Sequence, residues 1–273
     1  MRFSGVAQVA GLETRKLAAQ FRVNALLWAC VLGPIALVGV LKLASSTPAD
    51  TLFGRWVHVS GLAIPLVVLG FAGQWAFPVL ASLVAGDVFA AEDRFATWKL
   101  VLSRSRGRAE VFVGKCLVGF GFALLTVTLV LISSTLAGFL LIGRDPMFNL
   151  SGTLVEAKGG AALILLSGLS QVLPVMMFAS LALMLSVVSR NSLIGVGVPV
   201  LIGLLLQLMA LIDLPPLLRM LLPSGAFASW HGLWLDDPVT TPIWVGAGAC
   251  LLMTLTFVAV AGIVFGRRDV QVR

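Results

Sequence analysis

The chain has 273 residues, with 19 Lys and Arg and 12 Asp and Glu, so only 11% are charged against about 25% in an ordinary soluble domain. Apolar residues make up 59%, mean hydropathy is +1.04, and the net charge is +7. Runs 23–41, 56–86, 116–143, 159–189, 191–212 and 238–266 contain no Asp, Glu, Lys or Arg, and each can cross a hydrocarbon core of about 30 Å at about 1.5 Å per residue, which excludes a soluble globule, a secreted disulfide scaffold and a disordered tail.

Residues 6–22 come first. Val6, Val9, Leu12, Leu17 and Phe21 stand among Glu13, Arg15, Lys16 and Arg22, a roughly helical stripe that predicts an amphipathic helix on a membrane surface. The charges spread over too long a segment for a signal peptide, so a first, uncleaved span is expected at about 24–43. A second follows at about 57–86, with Gln74 and Trp75 in mid-run. Residues 87–115 form the one substantial loop on that side. Ala91, Phe95, Trp98 and Leu102 recur at helical spacing, with Glu92, Asp93, Lys99 and Ser103 away from them, and the basic cluster Arg104, Arg106 and Arg108 follows. This predicts a short amphipathic helix with a mixed-charge exposed face, suited to docking a soluble partner. Further spans are expected at about 112–142, 159–189, 191–212 and 243–266. The long runs call for tilts or kinks, with Pro65, Pro78, Pro174 and Pro199 as candidates. The 213–242 loop is too apolar to be free and too broken by proline to span, so short helices dipping into the outer leaflet are expected.

With the N-terminus inside and six alternating spans, 14 basic residues fall on the inner side and five on the outer, while the acids divide evenly. That is the positive-inside pattern, and it accounts for the basic balance without nucleic acid. The expected class is therefore an all-α membrane protein with six transmembrane helices, N-in and C-in, forming a single domain over 1–273. Cys30, Cys116 and Cys250 lie in or beside apolar runs and do not suggest disulfides.

Chemistry for an enzyme is sparse. Gly114-Lys115-Cys116 lacks the first glycine (Ala109 stands there) and the Ser or Thr of a phosphate-binding loop, so no nucleotide site is expected in this chain. His58 and His231 have no metal-ligand spacing around them. The span interiors hold no charged residue, which argues against ion coupling. Gln74, Gln171 and Gln207 remain at depth. They suit interhelical hydrogen bonds, with a substrate path that includes Trp75 as the alternative. One enzyme or assembly-factor reading stays open, with His231 beside Asp236 and Asp237 on the outer face.

The stretch Glu92-Asp-Arg-Phe-Ala-Thr97-Trp-Lys-Leu-Val-Leu102-Ser-Arg104-Ser-Arg-Gly-Arg108, with Gly114-Lys115 after it, resembles the segment after the second helix of ABC-2 type (type V exporter-like) transporter permeases. Glu13-Thr-Arg-Lys16-Leu and Phe265-Gly-Arg267-Arg268-Asp269-Val resemble the two ends of that family, and Ser105 departs from it where proline is common. The resemblance implies the permease subunit of an ATP-binding cassette exporter in a bacterial inner membrane, itself non-catalytic and free of cofactors and metals. Two separate ATPase subunits would use ATP and Mg, and a second permease, expected as a homodimer, would complete the path. The coupling helix would use Glu92, Asp93, Phe95, Thr97, Trp98, Leu102, Arg104 and Arg108. Residues 6–22 would be the interfacial connecting helix and 213–242 the re-entrant helices.

Overall fold

A computed structural model describes residues 3–43, 52–98, 101, 107–209 and 212–268. Helix α1 (Phe3–Ala18) precedes α2 (Phe21–Leu43), the first apolar span. The second span is built from α3 (Ala63–Phe71), a π turn (Ala72–Ala76) and α4 (Phe77–Ala85). Short α5 (Ala90–Arg94) leads towards α6 (Arg108–Leu141), the third span. A two-stranded antiparallel hairpin, β1 (Met147–Phe148) and β2 (Leu154–Val155), comes before α7 (Ala157–Ser170) and α8 (Val172–Ser189), which together make the fourth span. Then come α9 (Ser192–Met209), α10 (Pro216–Leu221), α11 (Pro223–Ala228), a 3-10 turn (Ser229–Trp234) and α12 (Thr241–Arg267). Six helical segments are long and apolar enough to cross a membrane, so the protein is multi-pass.

The spans form an inner and an outer set. Between 50% and 61% of the most apolar stretch is buried in the second, third and fourth, against 17% to 22% in the first, fifth and sixth. Helix α8 is central and packs on α4, α6, α9 and α12, while α2 and α1 both lie against α6. The outer spans turn Leu193, Leu201, Leu205, Leu252 and Leu255 outward, as lipid-facing surface requires.

Proline explains the breaks. Pro65, Pro78 and Pro174 all sit in the first turn of a helical segment, where a missing N–H is best tolerated. Pro78 cannot bond to the Gln74 carbonyl and its ring crowds it, and the chain widens into the π turn at that level. Pro174 stands in the same relation to Ser170, and the fourth run divides at Gln171 rather than continuing through 159–189. Of the four expected kink sites, only Pro199 is interior to a helix. The second span starts at Ala63 rather than 57, because 52–62 turn back on themselves: Ser60 Oγ donates to Asp145 O at 2.6 Å and accepts from Leu62 N at 3.3 Å.

Lipid gives apolar side chains no reason to leave it for one another, so spans associate by close packing and small residues. The second span is pinched at both ends in this way. A Cβ on Gly61 would collide with the Gly138 and Gly143 carbonyls, and one on Gly86 with the Gly195 carbonyl. The reverse holds too, since a Cβ on Gly138 would strike Gly61 O and one on Gly195 would strike Gly86 O. Gly195→Ala is therefore expected to cost about 1–3 kcal/mol, read as a lower melting temperature in detergent. Gly197→Ala, where a Cβ meets nothing within 4 Å, is the matched control, and equal stability of the two variants would refute the packing.

Candidate functional site

Polar interactions concentrate at one end of the bundle, around residues 87–98. Asp87 and Glu92 are almost fully buried, 4% and 3% exposed, and the Asp93 side chain is 18% exposed. Each is held by cations from a different part of the chain. Asp87 receives Arg22 from the first turn of α2, Arg94 at 3.6 Å, and Ser192 Oγ from the start of α9 at 2.5 Å. The Gly86–Gly195 contact brings that serine within reach. Asp93 Oδ1 accepts from Arg268, just past α12, at 2.5 Å and from Trp98 Nε1 at 3.0 Å.

Glu92 is the most heavily committed. Its Oε1 accepts from Lys16 Nζ at 2.5 Å and from Lys115 Nζ at 3.0 Å, and its Oε2 accepts from Thr97 Oγ1. Lys115, on α6, is fully buried. Its three ammonium protons meet Glu92, Glu13 Oε2 at 3.1 Å and Val88 O at 2.9 Å, with the Phe89 and Trp98 rings each 5.8 Å away. Glu13, Lys16, Glu92 and Lys115 make a neutral quartet joining α1, α5 and α6. Burial pushes the Glu92 carboxyl up, but the Lys115 charge and the Lys16, Thr97 and Lys115 hydrogen bonds outweigh it and hold it at about 2. For Lys16, burial lowers the pKa, and bonds and charges from Glu92 and Glu13 leave it raised. For Asp87, burial is likewise outweighed by Ser192, Arg22 and Arg94, and its pKa is lowered.

The expected helix face is corrected here. Helix α5 ends at Arg94, and Ala96 takes a left-handed conformation, φ 52°. Thr97 N bonds to Glu92 O at 3.0 Å and Ala96 N to Asp93 O at 3.3 Å, the two bonds of a Schellman cap with alanine where glycine is usual. The cap stops the periodicity that links Ala91 to Leu102. Glu92 and Asp93 turn inward, while Phe95, expected on the packed face, is 66% exposed with the Arg94 guanidinium 4.7 Å from its ring centre. Trp98 is buried against the Phe89 and Phe265 rings. Arg108 is exposed and donates to Arg268 O at 2.6 Å. Leu102 and Arg104 lie outside the described residues. The surface of this segment is thus the turn 94–97, and the remaining side chains are its foundation. The sequence reading quoted Glu13, Lys16, Lys115 and Arg268 in its motifs without bringing them to this site, and gave Asp87 no role; the available signal was acids in 87–93 with no topological role.

Helix α1 follows the same logic. It presents Val9 and Glu13 inward and leaves Leu12 46% exposed, so part of the apolar stripe is turned away from the bundle.

The four residues expected along a substrate path separate. Gln74 and Trp75 are exposed on the π turn, beside a groove of about 640 Å³ lined in part by Pro34, Leu37, Phe71 and Leu80. Gln207 is partly exposed on α9. Gln171 is fully buried and donates to Phe227 O at 3.2 Å, joining the fourth span to α11, a structural role. At the opposite end, Asp236 accepts from Asn149 at 2.7 Å and Thr153 at 2.9 Å, which fixes the hairpin and lowers its pKa. His231 Nδ1 instead meets Ala228 O at 2.6 Å and its ring stacks on Trp230 at 4.0 Å. Among the described residues no hydrogen bond joins His231 to Asp236 or Asp237.

A carboxylate whose pKa is depressed on folding adds stability in full above its ordinary value of 4.5, and loses it as pH falls towards 2. Lys16, raised on folding, loses its contribution only above its ordinary 10.5. The melting temperature in detergent is therefore expected to stay level from about pH 5 to 9 and to fall below about pH 4.5. Glu92→Gln removes one of the two carboxylates on a buried lysine and is expected to cost about 3 kcal/mol and to flatten the acid limb. A wild-type melting profile in that variant would rule out the quartet.

A curated relative, the uncharacterized protein YhcI of Bacillus subtilis (strain 168), is 26% identical over 162 residues, which cover 57% of this chain and 49% of the relative. The chain spans about half the length of that relative. A family model described as protein of unknown function (DUF2705) matches residues 59–271, from just before the second span to beyond Arg268. The match takes in well over half of the chain, and the chain belongs to that family.

Proposed function

We propose that the protein is the permease subunit of an ATP-binding cassette exporter, lying N-in and C-in in the bacterial inner membrane and driven by a separate ATPase. The observation that carries this reading is the turn 94–97. An exposed phenylalanine is mounted on a base bonded to α1, α2, α6, α9 and the residue after α12. A push on such a base reaches the whole bundle, as coupling to an external energy source requires. Placing this end in the cytoplasm also satisfies the positive-inside rule. Helix α1 then lies along the inner surface, and α10 and α11 dip into the outer leaflet. Gln74 and Trp75, exposed at mid-span beside an apolar groove, and Gln207 suit a path for a largely apolar substrate between this chain and a second copy.

This reading revises the part played by Glu92. Its oxygens are taken up within the chain, so it supports the docking surface, and Phe95 makes the contact. An ATPase subunit is expected to co-purify with the full-length protein. Phe95→Asp is expected to weaken that association about tenfold or more, in the manner of a central interface anchor, while span packing and melting temperature stay unchanged. Failure of any ATPase to co-purify from native membranes would overturn the reading.

A further inference from the structure

Arg268 follows the last turn of α12, yet its side chain is only 4% exposed. It touches residues on both sides of the exposed turn. Its Nη2 donates to Asp93, which precedes 94–97, and its guanidinium carbon lies 5.5 Å from the ring centre of Trp98, which follows. Trp98 Nε1 donates to the same Asp93 oxygen, so the three side chains close a ring under the turn. Three residues earlier on α12, Phe265 packs on Trp98 and Phe89, with ring centres 5.4 Å apart in each case. Arg108, at the start of α6, holds the Arg268 carbonyl. The sixth span is far from residues 87–98 along the chain, and this cluster joins it directly to them.

The ion pair also has capacity in reserve. Asp93 Oδ2 and Arg268 Nη1 are both buried without a hydrogen-bond partner. A guanidinium and a carboxylate can form two parallel bonds, and this pair uses one. The pair thus holds one bond and keeps a further donor and acceptor unspent beside it.

We propose that Arg268 is a positioning residue, and that its pair with Asp93 latches the sixth span to the turn 94–97, so that displacement of either moves the other. The use of this latch in coupling rests on the exporter reading above; the latch itself does not. The test uses full-length protein in nanodiscs, with Cys30, Cys116 and Cys250 replaced by alanine and a spin label on Phe95→Cys. Arg268→Gln is expected to increase label mobility, and Arg268→Lys, which keeps the charge and guards against misfolding, is expected to restore much of the restraint. Asp93→Asn combined with Arg268→Gln is expected to be less mobile than the sum of the two single effects, since the variants share the Arg268–Asp93 bond. Unchanged mobility in Arg268→Gln, or additive effects in the double variant, overturns the latch. With native Phe95 and a co-purified ATPase, Arg268→Gln is expected to lower substrate-stimulated hydrolysis about threefold to tenfold while the ATPase still co-purifies. If the mobility changes appear but wild type binds no ATPase, the latch stands and the exporter reading fails. If the ATPase binds and Arg268→Gln behaves as wild type in both measurements, the latch fails and the reading stands.

Discussion

Burying the Lys115 ammonium at the root of the third span fixes the arrangement of everything around it. A buried cation must be neutralised and its protons must be bonded. Glu13 and Glu92 supply the charge and Val88 the third acceptor. Helix α1 is thereby bound to the bundle even though it is not a span. Asp87 and Asp93 repeat the arrangement at neighbouring points, the first taking Arg22 and Arg94 and the second Arg268. Five acids of this end, Glu13, Asp87, Glu92, Asp93 and Glu110, all have partners. Arg15, Arg190 and Arg267 are exposed, so the outward surface at this end is more basic than composition alone suggests.

The opposite end is organised by different means. There the hairpin is tied to Asp236 and to Trp234, whose carbonyl accepts from Leu150 N at 2.9 Å and whose indole donates to Ser167 at 3.1 Å. Phe53 packs on Trp230 and Trp234. This is an aromatic cap over the inner spans, with few ionic contacts among the described residues. One end is thus set by paired charges, whose geometry is directional, and the other by ring packing.

The six spans, and most of their limits, could be read from runs without charge, because lipid penalises any other composition. The short helices of 213–242 were also legible, from proline spacing in an apolar loop. What escaped depended on contacts distant in sequence or on weak local signals. Nothing in a periodic pattern announces that α5 stops at a left-handed Ala96; a glycine there would have done so. The orientation of Glu92 followed from that stop and from a lysine 23 residues away. The hairpin at 147–155 consists of two-residue strands held by Asn149 and Asp236, below the length at which alternation can be seen. Gln171 was legible as an interhelical bonding group, but its partner, a carbonyl on α11, was not.

The distances along the chain that these ion pairs bridge also impose an order on assembly. Glu13, Lys16, Asp87 and Glu92 are all synthesised before Lys115, so when the third span leaves the ribosome its carboxylates already exist and its lysine need not enter the bilayer unpaired. Asp93 is placed differently, since its cation is made 175 residues later. Until then that side of the turn is unclosed, and the third, fourth and fifth spans can dock without being held to it. Completion of the sixth span thus coincides with completion of the surface at 94–97, which ties the appearance of a finished exposed turn to the presence of a fully inserted bundle.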